Sequence, residues 1–480
     1  MELPIPETIR KACALLVAEH RQAFVVGGGI RDLILGVAPS DWDLATDASP
    51  RETTAIFARA GCKTLSTGIK YGTIKIYYEN LPIEVTTFRI EGGYRDRRRP
   101  DDVHFVGEIG QDLARRDFTI NAIAYDPLQS LIVDPCSGMR DLSAMHLRAV
   151  GDPEARIGED ALRIMRAIRI AADYGLRIES ETWHAIVRNA ELIRMVSVER
   201  IRDELNRTLM AANYLEGLDL LLQAGLLFLI IPELSESWLF PQFHPSHQYD
   251  VLGHTLEAMR YTPAELDVRL AILLHDVAKP RSLSRGADGR GHFYGHNLLG
   301  AEMAEDILRR LHYSIQRIRR ISLLVREHML SQINYPDIRR LVSRVGRAAF
   351  PDLLSVREAD ILAHSTRLVL HTLPEREAFI SRLNEILAED AAFNLSDLAI
   401  NGTDLLEVLD CRPGPLVGAV LSALWNEVLE LPEKNKRSYL LARAREIAVN
   451  LTGTPASSGH RDPSRTCRRR RRDPGQGNDR

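Results

Sequence analysis

The sequence predicts an α/β N-terminal head followed by an all-α remainder, and three observations carry that expectation. Short β-branched and aromatic runs recur within residues 1–145, at Phe24–Val26, Thr73–Tyr78, Ile83–Phe88 and Leu131–Val133. From about residue 146 onward the apolar positions fall at helical spacing almost without interruption. The first apolar run leads into a glycine turn, Gly27-Gly28-Gly29, and then into a helix-like segment carrying Arg31 and Asp32. A chain of 480 residues is too long for one hydrophobic core. Candidate seams are Gly151-Asp152-Pro153, the stretch Pro232–Pro245 and the region Ser365–Pro374.

In the head, two carboxylates follow the glycine turn. Asp41 and Asp43 stand one residue apart on an extended segment, and side chains at that spacing share one face of a strand. Such close acids repel unless a cation lies between them, so the pair is a seat for one or two Mg²⁺ ions. A turn of glycines approaches phosphate oxygens closely and offers them N–H donors. Phosphate cradle and metal pair together are equipment for transferring a nucleotidyl group. Glu84, in LPIEVTTF, is either a third metal carboxylate or an outward residue of a half-buried strand. The stretch Thr86–Val106 combines Gly92-Gly93 with Arg95, Arg97, Arg98, Arg99, Asp101 and Asp102, which predicts a mobile, solvated loop between two strands. Next comes DLARRDFTINAIA (Asp112–Ala124), where Arg115 and Arg116 suit ribose and phosphate contacts and Asn121 holds a polar position.

The segment Gly158–Leu176, GEDALRIMRAIRIAADYGL, predicts a helix with Asp160 and Arg163 on one face. One reading is an intrahelical ion pair near a helix start. Another is a base reader, since a carboxylate accepts where a guanidinium donates. Cytosine and adenine both present an amino group beside a ring acceptor, whereas uracil and guanine reverse that order.

These motifs resemble the nucleotidyltransferase superfamily that includes DNA polymerase β. In detail they are similar to the bacterial tRNA nucleotidyltransferase and poly(A) polymerase family. RRDFTINA matches that family letter for letter, and EDxxR is its nucleotide-reading motif. The resemblance implies a polymerase β-like head with Asp41 and Asp43 as catalytic Mg²⁺ ligands. It implies that Gly27 and Gly28 hold the triphosphate while Arg31 and Asp32 brace the turn. Arg115, Asp117, Asn121, Asp160, Arg163 and Arg166 would complete the nucleotide site. The expected partners are CTP, ATP and the tRNA 3′ end. The long Thr86–Val106 loop favours full CCA addition; addition of A alone, or a poly(A) polymerase, stays open.

A second cluster lies in the helical half. Eight of fifteen histidines fall between His244 and His328, where even spacing would place roughly two or three. Converging imidazoles and carboxylates suit a transition-metal or Mg²⁺ site whose bound water attacks a phosphoester. The ordered set resembles the HD phosphohydrolase superfamily, which implies His254, His275, Asp276 and Asp360 as ligands of a divalent metal of unspecified identity. An HD hydrolase whose head only binds RNA is the alternative of a different class. Further on, INGTDLL and Pro413-Gly414-Pro415 resemble the family's tRNA-binding tail, and Gly418 would permit a close backbone approach. The implied domains are a catalytic head at 1–145, a neck at 146–240, an HD domain at 241–365, a tRNA-binding tail at 366–450 and a disordered arginine-rich end at 451–480.

The bulk numbers agree with this organisation. Net charge is −3, but residues 451–480 carry +5 and the rest −8. A protein gripping one RNA stem needs local basic stripes, such as Arg163, Arg166 and Arg169, rather than a basic total. Cys13, Cys62, Cys136, Cys411 and Cys467 are scattered with no CxxC pair, which argues against zinc knuckles and disulfides. No apolar run is long enough to span a membrane, and MELPIPETIRKACALL starts an amphipathic helix rather than a leader. A cytoplasmic protein without membrane partners is the expectation.

Overall fold

The computed structural model describes residues 2–92, 102–243, 248–287, 290–329, 335–364, 366–388 and 394–452. The loop arginines Arg95 to Arg99 and the arginine-rich end beyond residue 452 lie outside the described residues.

The head strands are β1 (Ala23–Val26), β2 (Asp43–Thr46), β3 (Lys63–Gly68), β4 (Thr73–Tyr78), β5 (Leu81–Thr87), β6 (Arg89–Gly92), β7 (Asp102–Phe105), β8 (Ala124–Asp126) and β9 (Leu131–Val133). Seven form one sheet in the order β3-β4-β5-β2-β1-β8-β9. Its pairs are antiparallel except β2 beside β5. Their β-branched residues fill the core, with Val25, Leu44, Ile74, Ile76 and Ile83 fully buried. Helix Glu7–Ala18 adds Ile9, Cys13 and Leu16 to buried positions. Helix Pro50–Arg59 starts on a reciprocal cap in which Glu52 N–H donates to Ser49 Oγ and Ser49 N–H to Glu52 Oε2. The topology seats Asp43 between Val26 on β1 and Glu84 on β5. β6 and β7, both inside the stretch Thr86–Val106 expected to be a loop, pair as a separate ribbon.

Beyond the head, the regular elements among the described residues are helices apart from two short strand pairs, His146–Leu147 with Arg177–Ile178 and Ser284–Arg285 with Gly291–His292. Helix Leu162–Tyr174 buries Ile164, Met165, Ile168 and Ile170 and stops at Gly175, whose φ is +65°. A Cβ on Gly217 would come within 2.7 Å of Thr208 Cγ2 and 2.9 Å of Ala172 Cβ, so this glycine lets three neck helices close on one another.

Two compact units emerge. One is Met1–Leu330 with Pro351–Leu373; the other is Ser331–Phe350 with Pro374–Arg480. The seam expected around Ser365–Pro374 contains the boundary between the units, at Leu373 and Pro374, which falls inside a helix, Thr366–Ala388, rather than in a loop. Within the second unit, helices Gly402–Leu409, Pro415–Glu430 and Arg437–Thr452 enclose a core of Leu405, Val420, Leu424, Val428 and Leu440. Asn401 and Asp404 cap the first of these reciprocally. Gly418 does not serve a close approach, because a Cβ there would meet nothing within 4 Å.

Candidate active site and a second histidine-aspartate centre

The head carries a cleft of about 610 Å³ beneath the glycine turn. Gly27, Gly28, Arg31, Asp41, Asp43, Asp117, Asn121 and Arg166 all line it. Gly27 has φ +78°, and a Cβ there would press on Arg116 Nη1 at 3.1 Å and Asp43 Oδ2 at 3.2 Å. Glycine is therefore required both for the turn and for the space above the carboxylate. Asp41 is exposed just before β2, whereas Asp43 is half-buried as its first residue. Burial raises the Asp43 carboxyl to about 6; Arg116 opposes this, while Asp41 and Glu84 add to it. Glu84 is exposed, with Lys75 Nζ 3.8 Å from its carboxylate.

Behind the cleft runs a continuous polar network. Arg31 donates to Asp32 Oδ1 (2.7 and 3.0 Å), to Asn121 Oδ1 (2.8 Å) and to Tyr174 Oη (2.6 Å). Tyr174 O–H in turn donates to Asp32 Oδ1 at 2.7 Å. Asn121 Nδ2 donates to Asp117 Oδ1 at 3.0 Å, and Arg166 grips Asp117 Oδ2 at 2.6 and 3.0 Å. Burial would raise the Asp117 carboxyl, but Arg166 and Asn121 hold it well below the usual carboxylate range. The glycine turn is thus tied to the neck helix Leu162–Tyr174 through buried, charge-assisted hydrogen bonds.

Three predicted residues are placed elsewhere. Arg115 turns from the cleft to Asp112 Oδ1 (2.7 Å) and the Arg89 carbonyl (3.1 Å), leaving its neighbour Arg116 on the cleft wall. Asp160 is not helical: it sits at φ −141° between helices Pro153–Glu159 and Leu162–Tyr174. Its Oδ1 accepts from Leu162 N–H, the local bond that makes aspartate a helix-starting residue, and Arg200 Nη2 lies 2.8 Å from Oδ2. Arg163 donates to Glu159 Oε2 and to the Arg156 carbonyl. Neither Asp160 nor Arg163 lines the cleft. Arg169, read from the sequence only as part of a basic stripe, lines it together with Asp173, Tyr174 and Arg207, which were not singled out. Steps of three and four from Arg166 through Arg169 to Asp173 mark one helix face, a signal that could have found Asp173.

The second centre collects buried side chains from several helices. His254 Nε2 lies 2.9 Å from Asp360 Oδ1 and 3.8 Å from Asp276 Oδ2. His275 Nε2 lies 3.1 Å from Asp276 Oδ2 and 3.6 Å from Asp360 Oδ1. The four predicted ligands therefore meet. On the other oxygen of Asp276 stand His296 Nε2 at 3.5 Å and His328 Nε2 at 4.0 Å, and His364 borders Asp360. His275, His296 and His328 each donate Nδ1–H to the carbonyl three residues back, at Ile272, Phe293 and Val325. That turns the Nε2 of each of the three toward the carboxylates, the nitrogen left to meet a cation. His275 Nε2 and Asp276 Oδ2 are buried without completing a hydrogen bond of normal geometry, although Lys279 Nζ contacts that oxygen at 2.6 Å. Burial alone would lower the His275 pKa, but Asp276 and Asp360 outweigh it and raise it to about 10. Burial and the neighbouring His275 charge push His328 down to about 4. Two carboxylates that hold a charge this firmly among imidazoles form a donor set fit for a divalent cation. Among the described residues, no helix is long and apolar enough to cross a membrane.

Sheet, glycine turn and adjacent carboxylates define a nucleotidyltransferase head, and residues 23–148 match the family described as the poly A polymerase head domain. Residues 175–237 match the probable RNA and SrmB-binding site of polymerase A, and residues 246–365 match the HD domain. A CCA-adding enzyme of Lactiplantibacillus plantarum is 32% identical over 93% of this chain and 95% of its own length. One from Lactobacillus helveticus is 49% identical over a shorter stretch, 38% of this chain and 45% of that protein. The crystal structure of the Bacillus stearothermophilus CCA-adding enzyme in complex with CTP superposes with a TM-score of 0.68 at 26% identity, covering 93% of this chain and 98% of that one. The chain belongs to the CCA-adding enzyme family.

Proposed function

We propose that this chain adds C, C and A from CTP and ATP to the 3′ end of tRNA without a nucleic-acid template. The observation that carries this reading is the meeting of Asp41, Asp43, Arg116 and the Gly27 turn in one cleft. In each step the RNA 3′-oxygen bonds to the α-phosphorus, the bond to the β-phosphate oxygen breaks, and pyrophosphate leaves. Mg²⁺ held by Asp41 and Asp43 would lower the hydroxyl pKa and neutralise the departing charge. Gly27 and Gly28 give the triphosphate room, and Arg116 offers it a guanidinium. Arg31, Asp117, Asn121 and Arg166 hold the turn and the neck helix in register. Asp160 and Arg163 read the base once Arg163 exchanges Glu159 for the nucleotide, and Arg115 acts by fixing the wall around Asp112. The domain boundaries follow the same reading: head 1–145, neck 146–240, HD domain 241–365, tail 366–450 and a terminal extension. The protein would work in the cytoplasm. The test is incorporation from an equimolar mixture of the four triphosphates. Only C and A should enter tRNA, and Arg163→Ala should admit U or G while binding of triphosphate changes less. Equal use of all four by the wild type would contradict the reading.

We further infer that His254, His275, Asp276 and Asp360 hold a divalent ion, with His296 and His328 on the second oxygen of Asp276. A divalent ion there would activate water for attack on a phosphoester, such as one at an RNA end. The Nε2 of His275 and Oδ2 of Asp276, buried without a hydrogen bond of normal geometry, favour this reading over an inert scaffold. Metal analysis of the purified chain tests it, and a chain that retains no ion after dialysis against Mn²⁺, Ni²⁺ or Mg²⁺ would refute it.

A further inference from the structure

Five arginines line the head cleft: Arg31, Arg116, Arg166, Arg169 and Arg207. Four of them are already engaged. Arg31 is tied to Asp32, Asn121 and Tyr174, and Arg166 to Asp117. Arg116 donates to the Asn121 carbonyl at 3.3 Å and to Asp112 Oδ2 at 3.4 Å. Arg169 is held between Glu204 Oε2 at 2.7 Å and Asp173 Oδ2 at 2.8 Å. Arg207 is different. It is exposed, and among the described residues its guanidinium has neither a hydrogen bond nor an ion pair.

The helix that carries it, Val198–Met210, makes this isolation specific. Arg200, Glu204 and Arg207 follow one another at steps of four and three, which puts them on one face. The first two reach the residues around the nucleotide site. Arg200 Nη2 lies 2.8 Å from Asp160 Oδ2, and Glu204 takes Arg169. One turn further on, Arg207 arrives at the cleft with no carboxylate in ion-pairing reach among the described residues. The charges of the cleft then match in all but one place. Asp32, Asp117 and Asp173 are met by Arg31, Arg166 and Arg169, and Asp41 and Asp43 are left for the cation that accompanies a triphosphate. Arg116 stands beside the Gly27 turn, where the triphosphate would lie. Arg207 is the remaining cation, and it comes from the neck. A hydrated guanidinium without a partner at the wall of such a cleft is ready for an anion that arrives from solution. The remaining anion of the reaction is the RNA strand, whose phosphodiesters accompany the 3′-hydroxyl.

We propose that Arg207 binds a backbone phosphate of the RNA strand, at one of the last three linkages before the reacting 3′-hydroxyl. The contact is to phosphate and not to a base, so it holds the growing end in place whether C or A enters. The proposal rests on the reading that this cleft extends an RNA 3′ end, and it gives that strand a fixed contact on the neck.

The test compares full-length wild type, Arg207→Ala and Arg207→Lys in adding A to tRNA that ends in CC. Arg207→Ala should raise KM for tRNA about tenfold and KM for ATP less than about twofold, and Arg207→Lys should recover most of the loss. The slope of log affinity for tRNA against log salt should become shallower by about one in Arg207→Ala. Binding is also measured to synthetic acceptor-stem hairpins ending in CC, each with one of the last three linkages replaced by an uncharged methylphosphonate. At the contacted linkage this should weaken binding to wild type about tenfold, and to Arg207→Ala less than about twofold. An unchanged KM for tRNA, or a rise of the same size in KM for ATP, overturns the proposal. A wild type indifferent to all three neutral linkages overturns it without recourse to a variant. If the wild type extends no RNA, the transferase reading fails instead and hairpin binding decides the role of Arg207. Neutral linkages that weaken both proteins equally then overturn the contact.

Discussion

The two polar centres of this chain handle charge in opposite ways. In the head, Asp41 faces solvent and Asp43 is only half-buried, under a turn cleared of side chains by Gly27. In the helical half, His254, His275 and Asp276 are at most 1% exposed, and hydrogen bonds to backbone carbonyls orient three of the imidazoles. A site that receives a triphosphate together with its cation must stay open and have guanidinium groups ready. A site that keeps a resident cation can close, because the ion itself satisfies the buried donors. The two centres should therefore fail independently.

The largest effect expected is on the head. Asp41→Ala or Asp43→Ala should lower kcat for CMP addition by about a thousandfold or more while leaving tRNA binding and the metal content of the other centre intact. Retained addition would remove the metal role of that residue. Asp276→Ala is the mirror experiment. Because its two oxygens face two groups of histidines, it should cut bound divalent metal by about tenfold or more, with CMP addition within about twofold of wild type. Loss of both activities together would merge the two centres into one.

A smaller effect probes the network that joins the glycine turn to the neck. Asp117→Asn should cost about 3 kcal/mol at neutral pH by leaving Arg166 without its charge partner. The folded Asp117 carboxyl lies well below its ordinary value, so its stabilisation is complete above about pH 4 and is lost as pH falls below that. Denaturation curves of wild type and Asp117→Asn should therefore converge in acid; a constant gap would place the effect in packing. Smallest is Tyr174→Phe, which removes one hydroxyl shared by Arg31 and Asp32. About 1 kcal/mol of stability should go, read as a shift in denaturation midpoint, with little change in kcat.

Legibility followed the range of the interaction. The glycine turn, the Asp41/Asp43 pair and RRDFTINA are local patterns, and the fold keeps Gly27, Asp43 and Asn121 around one cleft. The His275-Asp276 doublet was equally plain, and His254 and Asp360 do join it. The choice between Arg115 and Arg116 was not, because Asp112 can pair with either and only the packed β6 edge directs Arg115 to the Arg89 carbonyl. Helical periodicity carried the neck helix through Asp160, where a side-chain cap to Leu162 starts a new helix instead. Tyr174 is 142 residues from the Asp32 it serves, a separation beyond the reach of any spacing rule.

Ordered, template-free addition in the head cleft can be read directly at the RNA 3′ end. Three tRNA transcripts, ending at the discriminator base, at C and at CC, are each given CTP, ATP or both and resolved nucleotide by nucleotide. Growth should proceed by C and then C with CTP alone, by A only on the CC end with ATP alone, and stop at CCA with both. A run of A on any of the three would contradict it and make the chain a poly(A) polymerase.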